Sequence, residues 1–517
     1  ETPKSFQVAC TVMTQIIASV ASSQYGGQSV NIKHLGKYLF NTKKKYERKY
    51  KEQFWSELSD EQIQKLVEMR VKDELSSGVQ TIQYQINTLM TTNGQSPFVT
   101  LFLELDEKDE YLEETAQIIE EILNQRIQGI KNEAGIYITP AFPKLVYVLD
   151  ECNALKGGKY DYLTQIAVKC SAKRMYPDYI SAKKMREIQE GNVFAPMGCR
   201  AFLSPWKDEN GNYKYEGRFN QGVVTLNVPQ VAILANHDEK KFFELLEDRL
   251  QLCFKALMCR HERLKGTPSD ISPIHWQYGA LARLKKGETI DKYLTGGYST
   301  ITLGYIGLYE ASVLITWDSH TKPEGEAFAV KVLQKLKDTV LKRKEETWIG
   351  FALYGTPAES LCYRFAKIDK KKFGEIKDVT DKGYYTNSYH VDVREKIDAV
   401  SKLAFESQFQ KISSGGCISY VEVPNMQKNL PALETLVRFI YDNIMYAEFN
   451  TKSDYCHECG FEGEIVVNAD MERECPQCHN KDQRKMNVTR RTCGYLGENF
   501  WNLGKTKEIS KRVLHVS

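Results

Sequence analysis

The 517-residue chain is 42% apolar and 26% charged, with a formal net charge of +3 and a pI near 8.1. This length buries a large core and has room for about two to four domains, while the near-balanced charge gives no whole-protein case for a nucleic-acid or membrane partner. Thirteen cysteines are too sparse for a disulfide scaffold, and four of them fall in metal-ligand spacing, which indicates a reducing, cytoplasmic setting.

The chain opens on Glu1 rather than Met, so upstream sequence is expected. The first predicted element is "VACTVMTQIIASVASS". As a secretory segment it is interrupted by Thr11, Thr14 and Gln15 and preceded by a single base, Lys4. Val8, Val12, Ile16 and Val20 recur at helical spacing, as do Phe6, Met13 and Ile17, which predicts an amphipathic or buried helix. No later run reaches a membrane-spanning length. In the charge-rich stretch that follows, Leu58, Ile63, Leu66, Val67 and Val71 are spaced for helix, Ser59 and Gln62 form a capping box, and the basic run Lys43 to Lys51 reads as a solvated helix face.

Short apolar runs then alternate with helical stretches. "PFVTLFLEL", "KLVYVLD", "GVVTLNV", "STITLGYIGLYE", "WIGFALYG" and "CISYVEV" read as strands, and "EKKFFELLEDRLQLCFKALMCRHERL" as a helix carrying Cys253 and Cys259 as packed thiols. The alternation predicts an α/β fold with a mostly buried sheet or barrel. There is no internal repeat or linker before about residue 440, so residues 1–440 read as one large catalytic unit.

The densest chemistry is "CHECGFEGEIVVNADMERECPQC". Cys456, Cys459, Cys475 and Cys478 form two CxxC knuckles fifteen residues apart, the spacing of a closed, structural four-thiolate zinc site; His457 and His479 are alternative ligands, and a redox dithiol is the other reading. Residues 441–485 are thus a zinc-binding ribbon. Such ribbons occur in nucleic-acid proteins, and the flanking "KDQRKMNVTRR" is basic, so a nucleic-acid-binding module stands as one alternative.

Residues 486–517 contain "RRTCGYLGENFWNLG". Cys493-Gly494 reads simply as a tight turn. A glycine, however, also loses its α-hydrogen to give a flat radical delocalised over two peptide groups, able to store an oxidising equivalent for a cysteine nearby.

In this last stretch, together with "ASSQYGGQSVNI", "PMGCRAFLSPW", "GRFNQGVVTLNVP", "LYGTPAESLCYRF" and "SSGGCISYVEVP", the chain resembles, over its whole length, the anaerobic (class III) ribonucleoside-triphosphate reductases of bacteria and phages. The resemblance implies a ten-stranded α/β barrel, two antiparallel halves of five parallel strands, with an internal finger loop. It implies a glycyl radical at Gly494, a thiyl radical at Cys199 in "MGCRAF" and Asn220 against the substrate ribose hydroxyls; read from the residues themselves, Arg200 gives the Cys199 loop a polar edge. Thr356, Pro357, Ala358, Glu359 and Ser360 would form the substrate-phosphate loop, placed between strand and helix where backbone N–H groups are free for anions. The implied function is reduction of ribonucleoside triphosphates to deoxyribonucleoside triphosphates for DNA synthesis. The implied partners are a separate activase carrying an iron-sulfur cluster and S-adenosylmethionine, formate or a small redox protein as reductant, dNTP or ATP effectors, and a second copy of the chain. The family's further active-site cysteine is expected upstream of Glu1. The ribbon is expected to be the terminal loop's only nearby anchor. A glycyl-radical lyase of the pyruvate formate-lyase type shares the radical, but carries adjacent active-site cysteines, whereas Cys199 is followed by Arg200.

Overall fold

A computed structural model describes residues 2–516 except 25, 55, 93, 358, 359, 471, 493 and 498–501. The chain divides into two compact units, one of Glu1–Ile180, Asn425–Tyr441 and Thr451–Thr489, the other of Ser181–Pro424, Asp442–Asn450 and Arg490–Ser517.

In the first unit the strands Gln28–Asn31, Val99–Leu103 and Lys144–Leu149 run parallel, with Asp178–Ser181 next in order. Val99–Leu103 and Lys144–Leu149 are buried at every residue, as expected of parallel strands covered on both faces. Lys144 is fully buried there and pairs with Asp178 on the neighbouring strand at 2.7 Å. The first helix, Phe6–Ser23, packs on Asp60–Thr88. A Cβ at Gly78 would stand 2.5 Å from the Phe6 ring, so the close crossing requires glycine. Ser59 and Gln62 make the predicted capping box, with Ser59 Oγ accepting from the Gln62 N–H at 3.3 Å and Gln62 Oε1 accepting from the Ser59 N–H at 2.9 Å. By length and composition the first helix is apolar enough to cross a membrane. In this fold its Phe6, Cys10, Ile17 and Val20 face is buried, and Val8, Val12 and Ile16 form an exposed stripe.

In the second unit Asn220–Asn227, Thr300–Ile306 and Gly350–Gly355 form a parallel three-stranded sheet, covered by helices that include Glu239–Leu264 and Pro323–Thr347. Ser419–Val423 and Tyr446–Thr451 are neighbouring strands outside that three-stranded sheet. Among the described residues no sheet closes on itself. The free edge of Gly350–Gly355 is met by single backbone bonds rather than a ladder: Gly355 N–H donates to Gly416 O, and Gly415 N–H donates to Leu353 O, each at 2.8 Å. The architecture is therefore mixed α/β with parallel sheets, and closure into the expected ten-stranded barrel is not seen among the described residues. Cys259 is exposed and Cys253 half-buried, so the first of these is not the packed thiol expected.

Candidate functional site

The four ribbon cysteines converge. Their Sγ atoms all lie within 4.8 Å of one another, with Cys456–Cys478 at 3.7 Å and Cys459–Cys475 at 3.6 Å. A zinc-sulfur distance of about 2.3 Å sets the edge of a tetrahedron at about 3.8 Å, so the donor set fits zinc with every position taken by protein. The knuckles repeat one geometry. Gly460 N–H donates to Cys456 O at 2.8 Å and His479 N–H to Cys475 O at 2.9 Å, and Gly460 (φ +76°) and His479 (φ +57°) are both left-handed. His479 is thus a turn residue whose ring meets Glu474 at 2.6 Å, and His457 packs edge-on against Tyr455; neither joins the cluster.

Cys199 is at the tip of a tight hairpin. Met197 and Ala201 exchange backbone hydrogen bonds of 2.7 and 3.2 Å, with Gly198 left-handed at φ +60°. The hairpin is pinned from two sides. Phe202 N–H donates to Gly415 O at 2.9 Å, and the Tyr446 hydroxyl donates to the Cys199 carbonyl at 3.1 Å. A Cβ at Gly416 would lie 2.7 Å from Arg200 O and inside contact distance of the Tyr354 ring. Cys199 is 8% exposed. Arg200, expected as a polar edge, is instead wholly buried with its guanidinium 5.3 Å from the Tyr420 ring centre; delocalised charge over an aromatic face makes that burial tolerable.

Gly494 is at the tip of a second hairpin. Arg490–Arg491 pairs with Leu496–Gly497, and Thr492 N–H donates to Tyr495 O at 3.2 Å. Gly494 is buried; Cys493 lies outside the described residues. Arg491, with no exposed surface on its side chain, donates through Nη1 to Glu448 at 3.0 Å and through Nε to Asn450 at 2.9 Å. Side chains alternate along a strand, so Tyr446, Glu448 and Asn450 share one face of Tyr446–Thr451, and that face holds both hairpins.

Asn220 opens its strand at a bulge where the pairing slips between Asn220 and Val223. Its Oδ1 accepts from Gly222 N–H at 2.8 Å and its Nδ2 donates to Thr302 Oγ1 at 3.2 Å, which leaves a partly exposed amide with donor and acceptor capacity in reserve. On the same sheet Thr225 and Thr356 hydroxyls meet at 3.1 Å over Gly304, where a Cβ would stand 2.9 Å from Thr225 Oγ1 and closer still to Thr356. Thr356 and Pro357 follow the strand, and exposed Ser360 precedes the helix Leu361–Phe373 without capping it. Asn387, with its amide nitrogen turned toward them, donates to Thr356 O and Pro357 O at 3.1 and 3.3 Å. Ala358 and Glu359 lie outside the described residues.

The family profile for anaerobic ribonucleoside-triphosphate reductase matches residues 1–515. The chain is similar to the anaerobic ribonucleoside-triphosphate reductase of Enterobacteria phage T4, at 41% identity over all of this chain and 84% of the relative. Similarity to that of Escherichia coli K12 is 39% over all of this chain and 72% of the relative. The chain belongs to the anaerobic ribonucleoside-triphosphate reductases. It is accordingly an oxidoreductase, and neither the lyase nor the nucleic-acid reading is favoured. Its fold matches that of the Thermotoga maritima anaerobic ribonucleotide reductase solved with dATP and CTP, with a TM-score of 0.66 at 19% identity over 96% of this chain and 76% of that one.

In this reductase the basic residues beside the ribbon are mostly neutralised: Lys481 by Glu472 at 2.9 Å, Arg484 by Asp482 at 3.0 Å and Lys485 by Glu458 at 2.7 Å. The terminal segment has anchors of its own, contrary to the expectation that the ribbon alone would hold it. Besides Arg491, Arg512 pairs with Glu422 at 3.3 Å and with Glu508 at 2.9 Å, and the His515 ring accepts from Glu422 N–H at 2.8 Å. Burial disfavours the Glu508 carboxylate, but Arg512 and Lys505 outweigh it and hold its pKa down to about 2. Tyr446, Glu448 and Arg491 were not singled out from sequence. The alternation Tyr446-x-Glu448-x-Asn450 was the available signal, together with an arginine three residues before Gly494.

Proposed function

We propose that the chain reduces ribonucleoside triphosphates with Gly494 as the stored radical and Cys199 as the thiyl. The observation that carries this reading is that the two hairpin tips bearing Gly494 and Cys199 are both tied to one face of Tyr446–Thr451. Transfer of a hydrogen atom from Cys199 to Gly494 leaves the thiyl, which takes the 3′-hydrogen of the ribose. The resulting carbon radical labilises the 2′-hydroxyl, which leaves as water after protonation. Two electrons and a proton, from formate or a dithiol of a small redox protein, complete the reduction, and Cys199 returns its hydrogen to C3′. Asn220 would hold the ribose hydroxyls, supported by its bulge and its unsaturated amide. Thr356 to Ser360 would receive the phosphates, supported by their place before a 13-residue helix.

Residues 1–440 would then be the catalytic part, 441–485 the zinc ribbon and 486–517 the radical loop. The strands of the catalytic part would make up the ten-stranded barrel of two antiparallel halves. A separate activase with S-adenosylmethionine and an iron-sulfur cluster would install the radical, and the structural metal would be zinc. As the T. maritima relative was solved with dATP and CTP, deoxynucleotide or ATP effectors are expected here. A homodimer would cover the exposed Val8, Val12 and Ile16 stripe. The enzyme would work in the anaerobic cytoplasm, or in the host's if encoded by a phage.

The test is anaerobic activation followed by electron paramagnetic resonance and product assay. A doublet that disappears in Gly494→Ala, and persists without deoxynucleotide formation in Cys199→Ala, is the expected outcome. A doublet unchanged by Gly494→Ala, or product from Cys199→Ala, overturns the assignment.

A further inference from the structure

We propose that Arg491 is the positioning residue that sets the Gly494 hairpin against Tyr446–Thr451, and with it the geometry in which Gly494 and Cys199 exchange a hydrogen atom. This rests on the radical roles assigned above. Tyr446, two residues before Glu448, fixes the carbonyl of Cys199; Glu448 and Asn450 fix Arg491. Three side chains of one strand therefore hold both hairpins, and the rigid pleat between them converts these separate contacts into one spacing.

The choice of arginine follows from the contacts. Two different nitrogens, Nη1 and Nε, serve two acceptors at 3.0 and 2.9 Å, so the planar guanidinium fixes an orientation as well as a position. A lysine ammonium would keep the charge and lose the fork. Stability is a poor explanation for such a pair, because a fully buried ion pair loses so much hydration that an apolar pair of the same volume is often as stable. Asn450 extends the arrangement: its Oδ1 accepts from Arg491 while its Nδ2 donates to Glu422, the carboxylate that also holds Arg512. The hairpin carrying Gly494 and the tail behind it are thus fastened by one continuous polar network. Hydrogen-atom transfer is steep in distance, and a misplacement of about 1 Å can lower a rate about a hundredfold.

The test compares Arg491→Lys and Glu448→Gln with the parent and with Gly494→Ala after anaerobic activation. The doublet is expected to form to a similar extent in the first two variants, with KM for the ribonucleotide unchanged. Deoxynucleotide formed per unpaired spin is expected to fall at least about tenfold. Parent-like product per spin in both variants overturns the positioning role. So does a folded variant without a doublet, which would move Arg491 to radical installation, and so does unfolding of both variants, which would assign the pair to stability. Persistence of the doublet in Gly494→Ala is a different failure: it removes the radical assignment beneath the inference.

Discussion

Tyr446 and Glu448 stand two residues apart on one face of a single strand, the first donating to the Cys199 carbonyl at 3.1 Å and the second holding Arg491 at 3.0 Å. Because the hydroxyl of Tyr446 is the only part of that side chain that touches the carbonyl through a hydrogen bond, its removal isolates the contact. Tyr446→Phe is expected to cost about 1 kcal/mol in thermal or urea unfolding and to lower product per radical several-fold while the doublet forms normally. Parent-like turnover would show that the hairpin holds Cys199 without this bond.

Gly416 is a sharper test of the same hairpin from the opposite side. A methyl group there meets Arg200 O and the Tyr354 ring, neither of which has room to retreat in a packed interior. Gly416→Ala should destabilise the protein by about 1–3 kcal/mol and reduce product per spin, since the displaced backbone is that of the residue next to Cys199. Unaltered melting and turnover would contradict the close approach.

Metal removal separates the ribbon from the terminal segment. The ribbon core consists of Cys456, Ile465, Cys475, Met486 and Val488, too few apolar groups to fold without the metal. Chelation, or Cys475→Ser, should open residues 452–489 to proteolysis. Residues 490–497, fastened by Arg491 to Glu448 and Asn450, should stay protected longer. Simultaneous cleavage of both segments would mean that the ribbon is their common support.

Acid should loosen the tail through His515. Burial, with Lys402 beside it, lowers its pKa from 6.5 to about 3, and its Nδ1 accepts a backbone hydrogen bond that a proton would displace. Between about pH 6.5 and 3 the unfolded chain binds a proton at this residue that the native chain does not, so stability rises with pH across that window and is lost as pH falls. The slope of unfolding free energy against pH should flatten in His515→Gln. An identical slope in that variant would assign the acid sensitivity elsewhere.

Much of this was legible in the sequence for physical reasons. Thr300–Ile306 and Lys144–Leu149 are buried at every residue, so they read as unbroken apolar runs or nearly so, and Glu239–Leu264 has both its helical period and its Asp238 cap. The two knuckles declare themselves because metal geometry fixes their spacing. Tyr446–Thr451 was missed. Its residues Glu448 and Asn450 are polar yet buried, and the arginine that makes their burial tolerable lies about forty residues away in the sequence. Asp178–Ser181 hides likewise, since Asp178 is neutralised by Lys144 on another strand. A charge buried against a distant partner has no local pattern.

The network Glu448–Arg491–Asn450–Glu422–Arg512 also bears on motion. Its members share side chains, so breaking one contact leaves a buried charge unmet at the next, and partial release of the terminal segment is costlier than release of the whole. The amides of 490–497 and 512–515 should therefore exchange with solvent deuterium together, at one common opening free energy. On this view the segment that carries Gly494 behaves as a latch with two positions rather than a loop that frays.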